Sequence, residues 1–233
     1  MRAAVWRVLQ RSNIREHDPA SWTAERPTHL QELKGDRAFA AAWGPRTREA
    51  IGRVLESAAY PEPRSWGGFF IAFPSAAEWN LPWSAWHADA RYTSALAPPE
   101  GIRVHALLGD IAPRSGATLL LAGSHQLLHR WFRRHPPQPG ARGVDHRRSL
   151  MGHPYIRDLH REGRADERVA RFIERAEEHD GVELQVVENT GAAGDIVLVH
   201  PLLLHAASVN AGSAPRFLLS GAVDLDSMWA SGP

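Results

Sequence analysis

Two histidines and one aspartate have residue types and a spacing that suit a metal site. His87 and Asp89 are separated by one alanine, and in an extended strand such residues point to the same side. A third ligand is available in the run 194–205, where His205 is a better candidate than His200. Two imidazoles and one carboxylate can occupy one face of an octahedral ferrous ion and leave three positions open. This pattern is typical of non-haem iron oxygenases.

An arginine at the start of an apolar stretch suggests a second binding function. Arg216 is followed by the run 217–220, which has the sequence Phe-Leu-Leu-Ser, so its guanidinium could face inward across an adjacent strand. A buried arginine requires an anion. Because its planar fork binds a carboxylate through two parallel hydrogen bonds, Arg216 would suit the distal carboxylate of 2-oxoglutarate.

Three ordered segments of the chain resemble one known family. They are Trp86–Asp89, the stretch 115–125 that ends in Gly-Ser-His, and the run from His200 to Arg216. Together they resemble the phytanoyl-CoA dioxygenase-like (PhyH) family of Fe(II)/2-oxoglutarate-dependent oxygenases, over roughly residues 66 to 225. The resemblance implies a mainly β fold, a double-stranded β-helix (jelly roll, cupin-like) with flanking helices and a helical or loop insertion.

The resemblance also implies roles for individual residues. Iron would be bound by His87, Asp89 and His205. The cosubstrate 2-oxoglutarate would be anchored by Arg216. His105 falls where relatives often have an aromatic residue beside the cosubstrate, so it is a further candidate for the pocket.

The sequence departs from the family pattern at the hydroxyl that usually assists the cosubstrate arginine. Relatives often have a small hydroxyl residue two positions after the distal histidine, but this position is Ala207 and the hydroxyl follows at Ser208. Either Ser208 reaches the carboxylate, or Arg216 works with another hydroxyl such as that of Thr118. Both residues are therefore candidates for cosubstrate binding.

The reaction that the resemblance implies consumes O2 and 2-oxoglutarate. It would hydroxylate an unactivated C–H bond of a small organic substrate, such as a secondary metabolite, and release succinate and CO2. Asp89 favours a hydroxylase, because related halogenases replace this carboxylate with a small residue. The alternatives are a non-catalytic jelly roll that binds a metal or metabolite, and a metal-dependent isomerase or hydrolase, since zinc accepts the same ligands. Neither alternative requires a carboxylate anchor such as Arg216.

Aromatic and basic residues indicate what the substrate could be. Trp83 and Trp86 precede the metal motif, and with Phe69 they are candidates for an apolar substrate pocket, although ordinary core packing explains them equally well. Residues 130–148 contain six arginines and one acidic residue, Asp145, which gives a local charge of +5. This charge could attract an acidic group on a small-molecule substrate, or it could belong to a solvated loop.

Composition narrows the class of protein. The formal net charge is +1, which gives no general attraction to nucleic acid or to an anionic membrane. Cysteine is absent, which excludes disulfides and thiolate metal sites. The amino terminus lacks the apolar core of a signal peptide, and no stretch is long enough to span a bilayer. We therefore expect a cytoplasmic protein without nucleic-acid or membrane partners, whose oligomeric state stays open.

At 233 residues the chain is expected to form a single oxygenase domain. A helical flank over residues 1–62 precedes jelly-roll strands over 66–125 and 182–225, and residues 126–181 form an insertion that is a candidate active-site lid. Ser124 is expected to be the N-cap of a helix at the start of this insertion. A second helix is expected over 166–179, with its buried face formed by Val169, Phe172, Ile173 and Ala176.

Overall fold

A computed structural model describes residues 1–22, 30–57, 60, 67–89, 101–138 and 143–224. Residue 66, residues 90–100 and residue 225 of the expected strand regions lie outside these ranges. Within them, helical residues outnumber strand residues, so the expectation of a mainly β protein is only partly correct. No helix in the described ranges combines the length and the apolar character that crossing a bilayer requires.

The described strands form two four-stranded sheets in which all neighbours are antiparallel. In chain order the strands are β1 (Gly68–Ala72), β2 (Gly101–Leu107), β3 (Thr118–Ala122), β4 (Glu177–His179), β5 (Val182–Glu188), β6 (Ile196–Val199), β7 (His205–Ala207) and β8 (Arg216–Asp224). The first sheet has the order β1-β8-β2-β6, and the second has the order β4-β5-β3-β7. Strands distant in sequence are therefore neighbours in both sheets.

Helices occur in the amino-terminal part and between β3 and β4. The α-helices are α1 (Arg2–Leu9), α2 (Pro45–Val54), α3 (Ser124–Arg134), α4 (Gly143–Leu150), α5 (Pro154–Leu159) and α6 (Ala165–Phe172). Short 3-10 helices cover Gln10–Ser12, Pro19–Ser21, Leu30–Gly35 and Arg37–Trp43. Helix α2 begins at Pro45. Proline suits the first position of a helix because the N–H that it lacks would have no partner within the helix.

Side-chain alternation along β2 gives the first sheet an apolar face and a polar face. Ile102 and Val104 pack into a cluster with residues of the amino-terminal helices. Arg103 and His105, on the opposite face, line a cavity. The neighbouring strand β8 follows the same alternation, with Leu219 in the apolar cluster. The amino-terminal helices thus cover one face of this sheet and leave the other face for the site.

The second sheet also has one apolar face, and its other face lines the cavity. Leu119 and Leu121 of β3, and Ala206 of β7, pack with side chains of α3, α5 and α6. Thr118 and His205 line the same cavity as the polar face of the first sheet. The cavity therefore lies between the two sheets, and the helices between β3 and β4 cover the outer face of the second sheet.

The helix that we expected over 166–179 ends earlier. Helix α6 stops at Phe172, and Glu177–His179 forms β4, which pairs with β5 in a hairpin. The turn between them contains Asp180 and Gly181, both with positive φ values of 53° and 70°. Ala176 is consequently exposed, whereas Phe172 is buried as expected.

Ser124 has a different role from the N-cap that we expected. The N-cap of α3 is Gly123, whose φ of 80° is left-handed and whose missing Cβ would lie 2.1 Å from the Glu183 carbonyl oxygen. The hydroxyl of Ser124 instead accepts a hydrogen bond from the Leu204 N–H at 2.8 Å. Ser124 therefore ties α3 to the residue that precedes His205.

Candidate metal centre

The three residues expected to bind a metal lie together at one edge of the cavity. His87 Nε2 is 3.8 Å from an Asp89 carboxylate oxygen, and His205 Nε2 is 3.6 Å from the other carboxylate oxygen. One ligand atom from each residue lies within 4.8 Å of the others, and these are the only such group found in the described part of the chain. These donors fit a divalent iron ion, because imidazole and carboxylate are the ligands of open non-haem iron sites.

Backbone hydrogen bonds fix the separation of the two histidines. The His87 N–H donates to the His205 carbonyl at 3.0 Å, and the His205 N–H donates to the His87 carbonyl at 2.9 Å. The two residues are thus directly opposite each other in an isolated antiparallel bridge, with ring centroids 4.3 Å apart. Asp89 lies two residues beyond His87, so its side chain returns to the same side, as the sequence predicts.

Each histidine ring is oriented by a carbonyl two residues earlier in the chain. Nδ1 of His87 donates to the Ala85 carbonyl at 2.8 Å, and Nδ1 of His205 donates to the Leu203 carbonyl at 3.1 Å. Because a carbonyl can only accept, the hydrogen of each neutral ring is on Nδ1, and Nε2 has a free lone pair. Burial lowers the pKa of His205, which keeps this ring neutral and able to bind a metal.

His200, the other histidine of this run, shapes the turn that leads to His205. Its Nδ1 accepts a hydrogen bond from the Leu202 N–H at 3.1 Å, and its ring lies 5.0 Å from that of His125. It does not line the cavity with the three candidate ligands. The structure therefore places His200 apart from the three candidate ligands.

An arginine that the sequence analysis did not identify pairs with Asp89. Nε of Arg103 lies 2.8 Å from an Asp89 carboxylate oxygen, and both side chains are about one-fifth exposed. Arg103 lies on β2, two residues before His105, so both face the cavity. A charged residue within the apolar run of β2 was the sequence feature that could have identified it.

Arg216 is the buried cation of the cavity. Its residue is 5% exposed, and burial lowers the pKa of its guanidinium to about 10. Nε donates to the Gly116 carbonyl at 2.6 Å, and a terminal nitrogen donates to the Phe70 carbonyl at 3.1 Å. No carboxylate of the described residues forms an ion pair with it. Since a guanidinium has five N–H donors, Arg216 has the capacity to bind an anion in the cavity.

A close approach of backbone at Gly116 positions Arg216. Gly116 has a φ of 79°, and a Cβ there would lie 2.9 Å from Asn210 Cβ and 3.0 Å from Ala72 Cβ. The buried Asn210 donates to the Ala72 and Ala214 carbonyls at 2.8 and 2.9 Å, which ties the segment before β8 to β1. Glycine is therefore required at the position whose carbonyl orients the guanidinium.

The metal residues and the arginines line one cavity of about 260 Å³, which we call the metal cavity. Its walls come from both sheets and from the segment that contains His87. The lining residues are Gly68, Phe70, His87, Asp89, Arg103, His105, Thr118, His205, Ala207, Arg216, Leu218 and Ser220. Two guanidinium groups and one carboxylate give this lining a positive balance, which suits an anionic ligand.

His105 faces the metal cavity as a neutral hydrogen-bond donor. Burial and the nearby His205 lower its pKa to about 4. Nδ1 accepts a hydrogen bond from the side-chain amide of the buried Asn189 at 3.1 Å, so the ring hydrogen is on Nε2. Asn189 was not identified from the sequence, because it lies 84 positions from its partner.

The structure distinguishes the two hydroxyl residues considered as helpers of Arg216. Thr118 lines the metal cavity. Ser208 is buried, and its hydroxyl donates to the Ala117 carbonyl at 2.7 Å. Ser208 does not line the metal cavity, so its hydroxyl is used in holding the backbone of β3 and β7 together.

The expected aromatic substrate residues lie in three different environments. Trp86 lines a second cavity beside His87. Phe69 packs edge-on against Phe39 in the amino-terminal cluster, with ring centroids 4.6 Å apart. Trp83 is 47% exposed and lines neither cavity. The neighbour of Phe69, Phe70, lines the metal cavity instead, because adjacent strand residues point to opposite faces.

Comparisons with known proteins found one sequence family and several solved structures. Residues 2–218 match the family described as Phytanoyl-CoA dioxygenase (PhyH). No curated protein is significantly similar to the chain in sequence. Among solved structures, the non-heme alpha ketoglutarate dependent epimerase SnoN from nogalamycin biosynthesis shares 15% identity with a TM-score of 0.43. That match covers 83% of this chain, which spans only 58% of the SnoN chain.

Two further solved structures match over more of the chain. AviO1 from Streptomyces viridochromogenes Tue57 shares 16% identity, with a TM-score of 0.47 and coverage of 91% of this chain and 72% of that one. The non-heme monooxygenase ThoJ shares 17% identity, with a TM-score of 0.48 and coverage of 96% of this chain and 68% of that one.

Proposed function

Since this chain belongs to the phytanoyl-CoA dioxygenase (PhyH) family, we propose that it hydroxylates an unactivated C–H bond of a small organic substrate and releases succinate and CO2. The cofactor of this family is Fe(II), and 2-oxoglutarate and O2 are its cosubstrates. We further propose that the two sheets form a double-stranded β-helix with the metal between them.

The convergence of donors and cations in one cavity is the observation that carries this proposal. His87, Asp89 and His205 meet at one edge of the metal cavity, and the buried Arg216 lines the same cavity with no acidic partner in the described ranges. A catalytic zinc site needs three protein ligands but no dedicated guanidinium. An enzyme that consumes a dicarboxylate needs both features.

The protein side chains would each have a defined task. His87 and His205 would bind the ion through Nε2, and Asp89 through a carboxylate oxygen, which leaves coordination positions open. When bound, Fe(II) supplies the redox chemistry that couples decarboxylation of 2-oxoglutarate to oxidation of the substrate. Arg216 would bind the distal carboxylate, with Nε2–H of His105 as a further donor in the same cavity.

The retained carboxylate at position 89 supports hydroxylation over halogenation, because no ligand position is vacated for a halide. Thr118 is the hydroxyl that we propose as the helper of Arg216, since it lines the metal cavity.

An anaerobic titration tests the proposal. Fe(II) and 2-oxoglutarate added together to the wild-type protein should give a weak visible absorption band from the chelate. His205→Ala should abolish this band because it removes a metal ligand. Arg216→Ala should require about tenfold or more 2-oxoglutarate to reach the same absorbance, because it removes a buried charged hydrogen-bond donor.

Two exposed positions provide matched controls for that titration. His17→Ala and Arg133→Ala remove the same side-chain types from the surface and should leave the band unchanged. Absence of any band in the wild-type protein would overturn the proposal. A band that forms equally well in Arg216→Ala and Arg133→Ala would overturn the role of Arg216.

A further inference from the structure

A second cavity adjoins the metal cavity at His87, and the proposed mechanism does not use it. It has a volume of about 390 Å³, within the range of small-ligand sites. We call it the apolar cavity. Its lining residues are Trp86, His87, Ala88, Leu128, Phe132, Val144, His146, Arg147, Leu150, Ile156, His160, Leu202 and Leu204. His87 is shared with the metal cavity, so a molecule in the apolar cavity would contact a candidate metal ligand.

Most of the apolar cavity is formed by side chains that favour an apolar ligand. Trp86, Phe132 and Ile156 are at least 98% buried, and they come from the segment that contains His87, from α3 and from α5. A cavity of this volume with a mostly apolar lining is of the kind that binds small apolar ligands.

The cavity reaches the protein surface at α4. Val144 lines it but is 50% exposed, and Arg147, one helical turn further on, lines it and is also exposed. The cavity is therefore open to solvent at α4, and Arg147 lies at this opening.

The charge at this entrance is positive. Arg147 forms no ion pair with the described residues, whereas its neighbour Arg148 pairs with Asp145 at 3.3 Å. No acidic residue is among the residues that line the cavity. Burial lowers the pKa of His160, another lining residue, so this ring is neutral and adds no charge deeper in the cavity. Arg147 is thus a single cation placed where a ligand would enter.

We propose that the apolar cavity binds the substrate, and that the substrate is an amphipathic carboxylate. Its apolar body would occupy the cavity and contact His87, and its carboxylate would pair with Arg147 at the entrance. This inference rests on the proposed function, because it assigns the substrate class of the same site. It differs from 2-oxoglutarate binding, which uses Arg216 in the other cavity.

Calorimetric titration with dodecanoate, below its micelle concentration, tests the ligand class. Wild-type protein should bind one dodecanoate per chain, and Arg147→Glu should weaken binding about tenfold, because attraction becomes repulsion. Arg148→Glu is the matched control, since this neighbouring arginine does not line the cavity, and it should change affinity by less than about twofold. Dodecanol, which has no charge, should bind Arg147→Glu and wild-type protein equally well.

A second measurement tests whether the ligand lies beside the metal. Mn(II) bound to the wild-type protein should broaden the proton NMR signals of bound dodecanoate through its unpaired electrons. His205→Ala, which removes a metal ligand that does not line the apolar cavity, should abolish the broadening while dodecanoate affinity stays unchanged.

The outcomes separate this inference from the proposed function. Failure of dodecanoate to bind, equal effects of Arg147→Glu and Arg148→Glu, or absence of broadening when both Mn(II) and dodecanoate are bound would each overturn the inference. None of these results would affect the chelate band given by Fe(II) and 2-oxoglutarate. If instead Mn(II) does not bind to wild-type protein, the proposed function fails, and the comparison of the two arginine variants still decides what the cavity binds.

Discussion

Each of the three candidate metal ligands is held by a second contact. The rings of His87 and His205 donate to backbone carbonyls, and the carboxylate of Asp89 pairs with Arg103. Such outer contacts orient a ligand before the ion arrives, and their loss typically weakens metal binding about 10- to 100-fold. Only the contact to Asp89 comes from another side chain, so a single substitution can remove it.

We predict that Arg103→Met weakens Mn(II) binding about tenfold, because Asp89 loses the ion pair that orients it. Loss of the repulsion between Arg103 and the metal acts in the opposite direction, so weaker binding means that the loss of orientation is the larger effect. Electron paramagnetic resonance of free Mn(II) measures the affinity, with Arg133→Met as the surface control. Equal or tighter binding in Arg103→Met would contradict the orienting role.

The two hydroxyl residues are expected to behave differently on substitution. Thr118→Val keeps the shape of the side chain and should weaken 2-oxoglutarate binding severalfold in the chelate titration, because it removes a hydroxyl from the metal cavity. Ser208→Ala should leave that affinity unchanged and lower stability by about 1 kcal/mol, because it removes the hydrogen bond to Ala117. Denaturant unfolding of both variants measures the stability term. The opposite pattern would indicate that Ser208, and not Thr118, assists Arg216 in binding the cosubstrate.

At the scale of elements, the turn before β3 decides where Arg216 points. Gly116 combines a left-handed backbone with contacts too close for a side chain, and its carbonyl accepts a hydrogen bond from Arg216. Gly194 has a φ of 97° but nothing within 4 Å of an added Cβ. Alanine variants at these two glycines would therefore share the backbone strain, and only the variant at Gly116 would also displace neighbouring atoms.

We predict that Gly116→Ala destabilises the fold more than Gly194→Ala does. Both substitutions force alanine into a left-handed conformation at about 1 kcal/mol or more. Only Gly116→Ala also displaces neighbouring atoms and the carbonyl that orients Arg216, so it alone should weaken 2-oxoglutarate binding. Equal losses of stability, with normal cosubstrate affinity in both variants, would argue against this function of the turn.

Some elements have a local cause that the sequence itself contains. Helix α2 begins at its proline, and β3 follows an unbroken apolar run. The error over 166–179 arose because Glu177–His179 contains no apolar alternation, and its strand conformation comes from pairing with β5 across the turn at Asp180. Pairing partners are a tertiary property that the local sequence does not contain.

At the scale of the whole molecule, five histidines of the described ranges have a pKa below the ordinary value, with burial as the largest cause. They are His105, His125, His153, His160 and His205. In the unfolded chain these rings would titrate near about pH 6.5. As the pH falls below this value, the unfolded state takes up protons that the folded state does not, so stability decreases with acidification.

We predict that the melting temperature falls continuously between about pH 6.5 and about pH 4, the value to which burial lowers the pKa of His125. His125→Gln should reduce the slope of this fall, because the variant has one fewer ring to protonate on unfolding. His17→Gln, at an exposed position, should leave the slope unchanged. A melting temperature independent of pH over this interval would contradict the argument.

The candidate site could be predicted from the sequence only in part. The candidate ligands His87, Asp89 and His205, which the structure brings together, could be proposed because metal chemistry restricts residue type and spacing. Arg103 and the apolar cavity could not be predicted, because they depend on how one sheet faces the other and on the helices that pack against the second sheet. The spacing of residues in the sequence predicts which side chains share a face of one strand. Contacts between the two sheets, or between a sheet and helices, can be seen only in the folded structure.

The backbone bridge between His87 and His205 has a consequence for preparing the protein. Since reciprocal peptide hydrogen bonds hold the two imidazoles 4.3 Å apart, the pair is preorganised for chelation regardless of which cation arrives. Nickel, copper and zinc bind nitrogen ligands more tightly than ferrous iron does in the Irving–Williams order. Recombinant material is therefore expected to be mis-metallated during purification, and stripping with a chelator before reconstitution should raise its specific activity.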